Sequence, residues 1–180
     1  MNTTSANATR LAAVAAAGLA ALLAAPLAQA QQAAPSANPA VRVEKNMSLQ
    51  LATQLAADTV AACAASNYAV AATVVDRAGT VRAVLRADNA GPHTLAASER
   101  KAFTAASAKN TTLAMMEGAQ KNPAAANLVH IPGYLLLGGG VPVKVGNEVI
   151  GAIGVGGAPG GHLDEQCAVA ALDKAQALLK

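Results

Sequence analysis

The stretch Glu148–Glu165, EVIGAIGVGGAPGGHLDE, decides the fold of this 180-residue chain. Its first part, Glu148–Val155, mixes β-branched residues with glycine and alanine and predicts a buried strand. A glycine-rich bend then leads to Asp164 and Glu165, whose carboxylates suit the N-terminus of a helix. Because glycine packs nothing itself inside a strand, Gly151 and Gly154 indicate that a helix or a flat ligand approaches the backbone closely.

The glycine bend does not fit a dinucleotide-binding motif. In the pattern G-x-G-x-x-G counted from Gly154, Pro159 stands where the last glycine belongs. The glycines are therefore interpreted as packing positions or ligand contacts, and no nucleotide cofactor is predicted.

The first thirty residues have the pattern of a secretory signal peptide. A polar start with one positive charge precedes the apolar run Leu11–Leu27, and Ala28-Gln29-Ala30 forms an A-x-A cleavage site. We predict cleavage after Ala30 and a periplasmic or secreted protein. An uncleaved anchor is the alternative, although an apolar run of about 17 residues is marginal for a membrane span. Residues 31–46 predict a flexible leader, and residues 47–180 predict a single domain.

Composition limits the partners and the core. The formal net charge is +3, the basic residues are scattered, and only 2% of residues are aromatic. No basic cluster with interleaved aromatics is present, so we expect no nucleic-acid binding, and no membrane contact once the signal peptide is removed. The core must consist of small aliphatic side chains.

The two cysteines leave two alternatives. Cys63 and Cys167 lie on two predicted helices, and an oxidising compartment would permit a disulfide between them. Two buried, unpaired cysteines are the other interpretation, since free cysteine packs as a small apolar residue.

Periodicity and turn signals predict an α+β fold with about five antiparallel strands and flanking helices. The short connections favour hairpins over βαβ units. The predicted helices span Ser48–Ser66, Leu95–Lys109, Thr111–Lys121 and Leu163–Leu179; the predicted strands span Tyr68–Val75, Val81–Ala87, Tyr134–Leu137, Val141–Val145 and Glu148–Val155.

Four blocks of sequence together resemble the GlcG/HbpS haem-binding family, which includes the C-terminal domain of PduO-type proteins. These blocks are VVDRAGTVRAVLRADNA, ERKAFTAA, LGGGVPV and EVIGAIGVGGA, followed by DEQCAVAAL. The resemblance covers about Leu49–Leu179 and implies a profilin- or PAS-like shape, frequent homo-oligomers, and haem or iron binding in some members. Gly156 departs from the family pattern, which often has serine there.

Haem binding requires an apolar slot, an axial ligand, and cations or N–H groups for two propionates. His93 and His130 are the candidate axial and metal ligands, Arg86 and Lys101 the candidate propionate contacts, and Gly154 a candidate contact of the porphyrin face. The alternative for each is a structural role in a loop, on a strand surface or in packing. His162, the third histidine, is interpreted as a helix-start residue, with a metal contact as the alternative.

Three classes of function follow. The first is a haem-binding protein that sequesters or senses haem or iron. The second is an oligomeric structural domain without a ligand, in which the glycines serve subunit packing. The third is an enzyme acting on a small 2-hydroxy or 2-oxo acid through Asp88 or His93, although no G-x-S-x-G, H-E-x-x-H or C-x-x-C motif is present.

Overall fold

The computed structural model describes residues 40–180. The predicted signal peptide and residues 31–39 of the predicted leader lie outside the described residues. Residues 43–180 form one compact unit, which carries the helices and strands. Within residues 40–180, none of the helices is both long and apolar enough to cross a membrane.

The described elements alternate between hairpins and helices. A four-stranded sheet has the order β2-β1-β4-β3, and every neighbouring pair is antiparallel. The elements are α1 (Leu49–Ala64), β1 (Ala71–Asp76), β2 (Val81–Arg86), α2 (His93–Ala108), α3 (Thr112–Lys121), a 3-10 helix (Pro123–His130), β3 (Gly140–Val145), β4 (Glu148–Gly156), α4 (Gly161–Lys174) and a short 3-10 helix (Gln176–Leu178).

The α+β class is confirmed, but the prediction of a strand at Tyr134–Leu137 is wrong. Side chains from two helices bind the backbone of this segment and replace a strand partner. Arg100 donates to the Tyr134 carbonyl oxygen, Thr104 Oγ1 accepts from the Leu135 N–H, and Thr112 donates to the Leu137 carbonyl oxygen. The described sheet therefore has four strands, and the profilin- or PAS-like shape stays a prediction.

Helix α2 lies directly on one face of the sheet. A Cβ atom at Gly154 would overlap the Ser98 carbonyl oxygen and the Ala102 amide nitrogen, both of which belong to the backbone of α2. On the same face, the Thr73 hydroxyl shares a 2.8 Å hydrogen bond with Ser98 Oγ. The close approach indicated by Gly154 is thus made by the chain's own helix, which fills the space where a porphyrin face was predicted.

The other face of the sheet holds the larger core, built with α1 and α4. Its buried side chains are mostly small aliphatic ones, as the composition required, together with Met47 and the two cysteines. A disulfide joins Cys63 of α1 to Cys167 of α4, with a Cα–Cα distance of 5.3 Å. Of the two alternatives that the sequence left open, the structure contains the cross-link.

Removing this disulfide is expected to lower the free energy of unfolding by about 2–4 kcal/mol, because the cross-link closes a long loop in the unfolded chain. The two cysteines are 104 positions apart. Urea unfolding of the oxidised protein, with and without a reductant, measures the difference. The Cys63→Ser/Cys167→Ser variant serves as the control, since it should unfold identically in both conditions; equal stability of the oxidised protein and this variant would contradict the expectation.

Candidate functional site

A buried ion pair connects α2 to the first turn of α4. The Lys101 ammonium donates to Asp164 Oδ2 at 2.7 Å and to the Val155 carbonyl oxygen at 2.8 Å. Lys101 is 1% exposed and Asp164 is 3% exposed. The remaining carboxylate oxygen of Asp164 accepts from the Ala158 N–H at 2.9 Å. Lys101 therefore holds the glycine bend in place, and its ammonium is not available to the haem propionate predicted as its partner.

Burial raises the pKa of the Asp164 carboxyl, while the charge and hydrogen bond of Lys101 and the N–H of Ala158 oppose the rise. From the sequence, Asp164 was interpreted as a helix-start charge. Its main partner lies 63 positions away, so no local pattern predicts the contact. The available signal was a lysine on the same helix face as Ser98, Ala102 and Ala105, which are among the buried positions of α2.

Glu165, the next residue of α4, lies near the N-terminus of α3. Burial raises the pKa of its carboxyl and the Glu117 carboxylate adds to the rise, whereas the N–H groups of Gly139 and Leu113 and the Thr111 hydroxyl oppose it. Glu165 Oε2 is buried, and no group within residues 40–180 forms a hydrogen bond with it. The fold therefore holds a partly buried carboxyl between α4 and the start of α3.

Glu165 lines a groove along α4 with a volume of about 350 Å³, called the α4 groove. His162 also lines it, as does a second carboxylate, Asp173. The complete lining is Leu113, His162, Glu165, Gln166, Val169, Ala170 and Asp173. A ligand that carries carboxylates of its own would meet like charges here.

A second groove lies between α3 and the following 3-10 helix, and we call it the α3 groove. Its volume is about 220 Å³, and no charged side chain lines it. The lining residues are Met116, Ala119, Gln120, Ala126, Val129 and Leu136. His130 follows Val129 directly as the last residue of the 3-10 helix. Val129 is 52% and Ile131 41% exposed, so apolar surface continues beyond the groove.

The α3 unit, formed by α3 and the 3-10 helix, contributes little to the domain core. Within it, Thr112 alone is buried. Its hydroxyl donates to the Leu137 carbonyl oxygen and accepts from the Gly140 N–H, both at 2.7 Å, which attaches α3 to the start of β3. The apolar side chains of the unit therefore remain half-buried or exposed and available to a ligand or a partner.

The structure separates the predicted haem contacts. His93 is the first residue of α2, and its ring folds back over Gly91. Phe103 lies ten residues after His93 in α2, about 15 Å along the helix axis. Gly133, which is three positions after His130, packs against Phe103. Arg86 ends β2 at the opposite edge of the sheet from β3, about three strand spacings or 14 Å away. His93 and the segment that follows His130 are thus not gathered into one site, and Arg86 lies on the strand furthest from β3.

Exposure also characterises the remaining candidates. The three histidines and Asp88 are exposed. Across residues 40–180, no three His, Cys, Asp or Glu side chains come together as a group able to hold a metal ion. Of the three histidines, His162 lines the α4 groove. His130 directly follows Val129, which lines the α3 groove.

Comparison with known proteins identifies relatives over most of the domain. A family model described as "Haem degrading protein HbpS-like" matches residues 47–173. Protein GlcG of Escherichia coli K12 is 36% identical over 90 residues, which cover 50% of this chain and 66% of that protein. The match thus spans slightly less than two thirds of the curated relative.

Two solved structures share the fold. A double mutant of HbpS from Streptomyces reticuli is 38% identical and superposes with a TM-score of 0.71, covering 79% of this chain and 97% of that one. A structure described as a PduOC:heme complex is 22% identical, with a TM-score of 0.64 and coverage of 71% and 94%. At that identity the second match shows the fold alone.

Proposed function

Because this chain belongs to the HbpS-like family, whose description is haem degradation, we propose that it binds haem in the α3 groove with the His130 imidazole as axial ligand. The observation that carries the proposal is the uncharged lining of this groove, which includes Val129, the residue directly before His130.

Charge distinguishes the two grooves. Haem has a flat apolar body and two propionates, so it is favoured by apolar lining and disfavoured by nearby carboxylates. The α4 groove presents Glu165 and Asp173, whereas the α3 groove presents methionine, alanine, valine and leucine with a single glutamine. A porphyrin in the α3 groove would also cover the exposed side chains of Val129 and Ile131.

The size of the α3 groove implies an open mode of binding. Its 220 Å³ is below the roughly 300–1,000 Å³ of enclosed ligand pockets. A porphyrin would therefore lie across the groove with one edge in solvent. Met116 adds a thioether to the lining, a donor type that serves as a haem ligand in other proteins. Bound haem would supply the iron chemistry, while this chain supplies the apolar surface and the imidazole.

The propionates require cations other than those predicted from the sequence. Lys101 is engaged with Asp164, and Arg86 lies at the far edge of the sheet. Lys121 ends α3 and its side chain is 76% exposed; among residues 40–180 it forms an ion pair only with Glu117, a surface contact of 3.3 Å. Such exposed pairs contribute little to stability, so the ammonium is available to a propionate.

Haemin titration followed at the Soret band tests the proposal. The wild-type protein should bind haemin, and His130→Ala should weaken binding at least tenfold, because the axial bond is lost. His93→Ala and His162→Ala are matched controls, since each removes one exposed imidazole away from the α3 groove, and both should bind like the wild type. Unchanged binding by His130→Ala would reject the site; absence of a Soret shift in the wild type would reject the function.

Periplasmic or secreted location, with a role in haem or iron sequestration or sensing, completes the proposal. The A-x-A pattern at residues 28–30 and the Cys63–Cys167 disulfide support an oxidising compartment. Mass spectrometry of the native protein in a periplasmic fraction should find an N-terminus at Gln31. An intact Met1 terminus in the cytoplasmic fraction would contradict it.

An oligomeric structural domain is the competing function, because exposed Val129 and Ile131 would also suit a subunit contact. Size-exclusion chromatography separates the two. A stable homo-oligomer that neither binds haemin nor changes size with it would favour the structural role, whereas Soret binding favours the ligand-binding role.

A further inference from the structure

The two edges of the sheet differ in how they are protected. At one edge, β3 contains Pro142, which has no N–H to offer, and residues 140–143 are buried. At the other edge, all residues of β2 except Ala83 are exposed, and among the described strands β2 pairs with β1 alone. The β2 edge therefore presents hydrogen-bonding groups that no described strand uses.

The direction of these groups follows from the ladder with β1. The Ala87 N–H donates to the Val70 carbonyl oxygen of the neighbouring chain segment. Two residues earlier, the N–H and C=O groups of Leu85 therefore also point toward β1. Hydrogen-bonded and non-hydrogen-bonded positions alternate in an antiparallel pair. The N–H and C=O groups of Val84 and Arg86 consequently point away from β1, toward the open edge.

Side chains on this edge combine apolar surface with unpaired positive charge. Val84 lies opposite Thr73 and therefore on the same face of the sheet. On this face α2 packs against Thr73 of β1, whereas Val84 of β2 is left exposed. Val84 is 43% exposed, and Leu85 on the other face is 40% exposed. No described residue forms an ion pair with Arg82 or Arg86, whereas Glu44, Asp58, Glu117 and Glu148 pair with other cations.

We propose that the β2 edge is a docking site for an extended acidic segment of a partner protein, which adds to the sheet as a fifth strand. The outward backbone groups of Val84 and Arg86 would pair with the segment, and its carboxylates would meet Arg82 and Arg86. A second copy of this chain fits poorly, because antiparallel pairing of two β2 strands brings the arginines of both copies together.

A synthetic peptide with the core Glu-Thr-Val-Thr-Glu tests this proposal by fluorescence anisotropy with the intact protein. Its sequence is the same in both directions, so its glutamates can meet the two arginines whether the peptide adds parallel or antiparallel to β2. The matching Lys-Thr-Val-Thr-Lys peptide should bind roughly five- to thirtyfold more weakly, the effect expected of two cross-strand charge pairs. The Arg82→Glu/Arg86→Glu variant should reverse this preference.

A proline variant distinguishes strand addition from simple charge attraction. Val84→Pro removes an outward N–H but leaves the ladder with β1 intact, since residue 84 does not bond to β1. Circular dichroism should show an unchanged fold, and binding of the acidic peptide should be lost. Val84→Ala is the control and should retain binding. Retained binding by Val84→Pro, or no binding by the wild type, overturns the proposal.

Discussion

Replacing Gly154 by alanine is expected to prevent α2 from docking on the sheet and to cost more than about 4 kcal/mol of folding free energy. The added Cβ would overlap the backbone of α2 at Ser98 and Ala102, and backbone atoms have no rotamer by which to move aside. Relief would require α2 to lift off β4, which would also break the Thr73–Ser98 hydrogen bond. Urea unfolding measures the loss where the variant folds, and soluble yield with circular dichroism reports where it does not.

Gly118→Ala is the matched control for this prediction. A Cβ at residue 118 of α3 meets nothing within 4 Å, and its backbone is helical. Alanine in a helix is more favourable than glycine by up to about 1 kcal/mol, so this variant should be as stable as the wild type or slightly more stable. Equal stability of the two variants would show that α2 does not rest on Gly154.

Lys101→Met is expected to lower the free energy of unfolding by about 3–5 kcal/mol, because it leaves the Asp164 carboxylate buried without its cation. The Val155 carbonyl oxygen would lose a hydrogen bond in the same variant. Chemical denaturation at neutral pH measures the loss. Since the carboxyl can take up a proton, the destabilisation should shrink as the pH falls and Asp164 becomes neutral.

The double variant Lys101→Met/Asp164→Asn separates the ion pair from general packing. It removes both charges while asparagine retains an oxygen that can accept from the Ala158 N–H. We expect the double variant to be more stable at neutral pH than Lys101→Met alone, so the double-mutant cycle should give a clear coupling energy. Additive losses would mean that the two side chains are not coupled as their 2.7 Å contact indicates.

The elements of this fold that are determined by residues close in sequence were predictable. Helix α3 was predicted at Thr111–Lys121 and spans Thr112–Lys121, because its capping threonine and apolar spacing are local signals. The glycines of β4 predicted a close approach to the sheet, and α2 makes it. Tyr134–Leu137 was mistaken for a strand because the side chains that bind its backbone, from Arg100 to Thr112, are distant in sequence.

The candidate site was less predictable for the same reason. Lys101 was assigned to a ligand on the strength of its charge, but a partner 63 positions away buries it. The α3 groove forms where two helices meet, so the grouping of Met116, Val129 and Leu136 requires the fold. Sequence alone identified His130 as a candidate ligand and could not show which apolar surface lies beside it.

Paramagnetic broadening by ferric haemin tests the central claim most directly. In a two-dimensional amide NMR spectrum of the protein, haemin in the α3 groove should selectively weaken the signals of residues around Met116, Val129 and Leu136. Signals from β2 and from the C-terminal half of α4 should persist. Broadening centred on His162 and Val169, or on Arg86 and His93, would contradict the proposed site, and an unchanged spectrum would contradict haem binding itself.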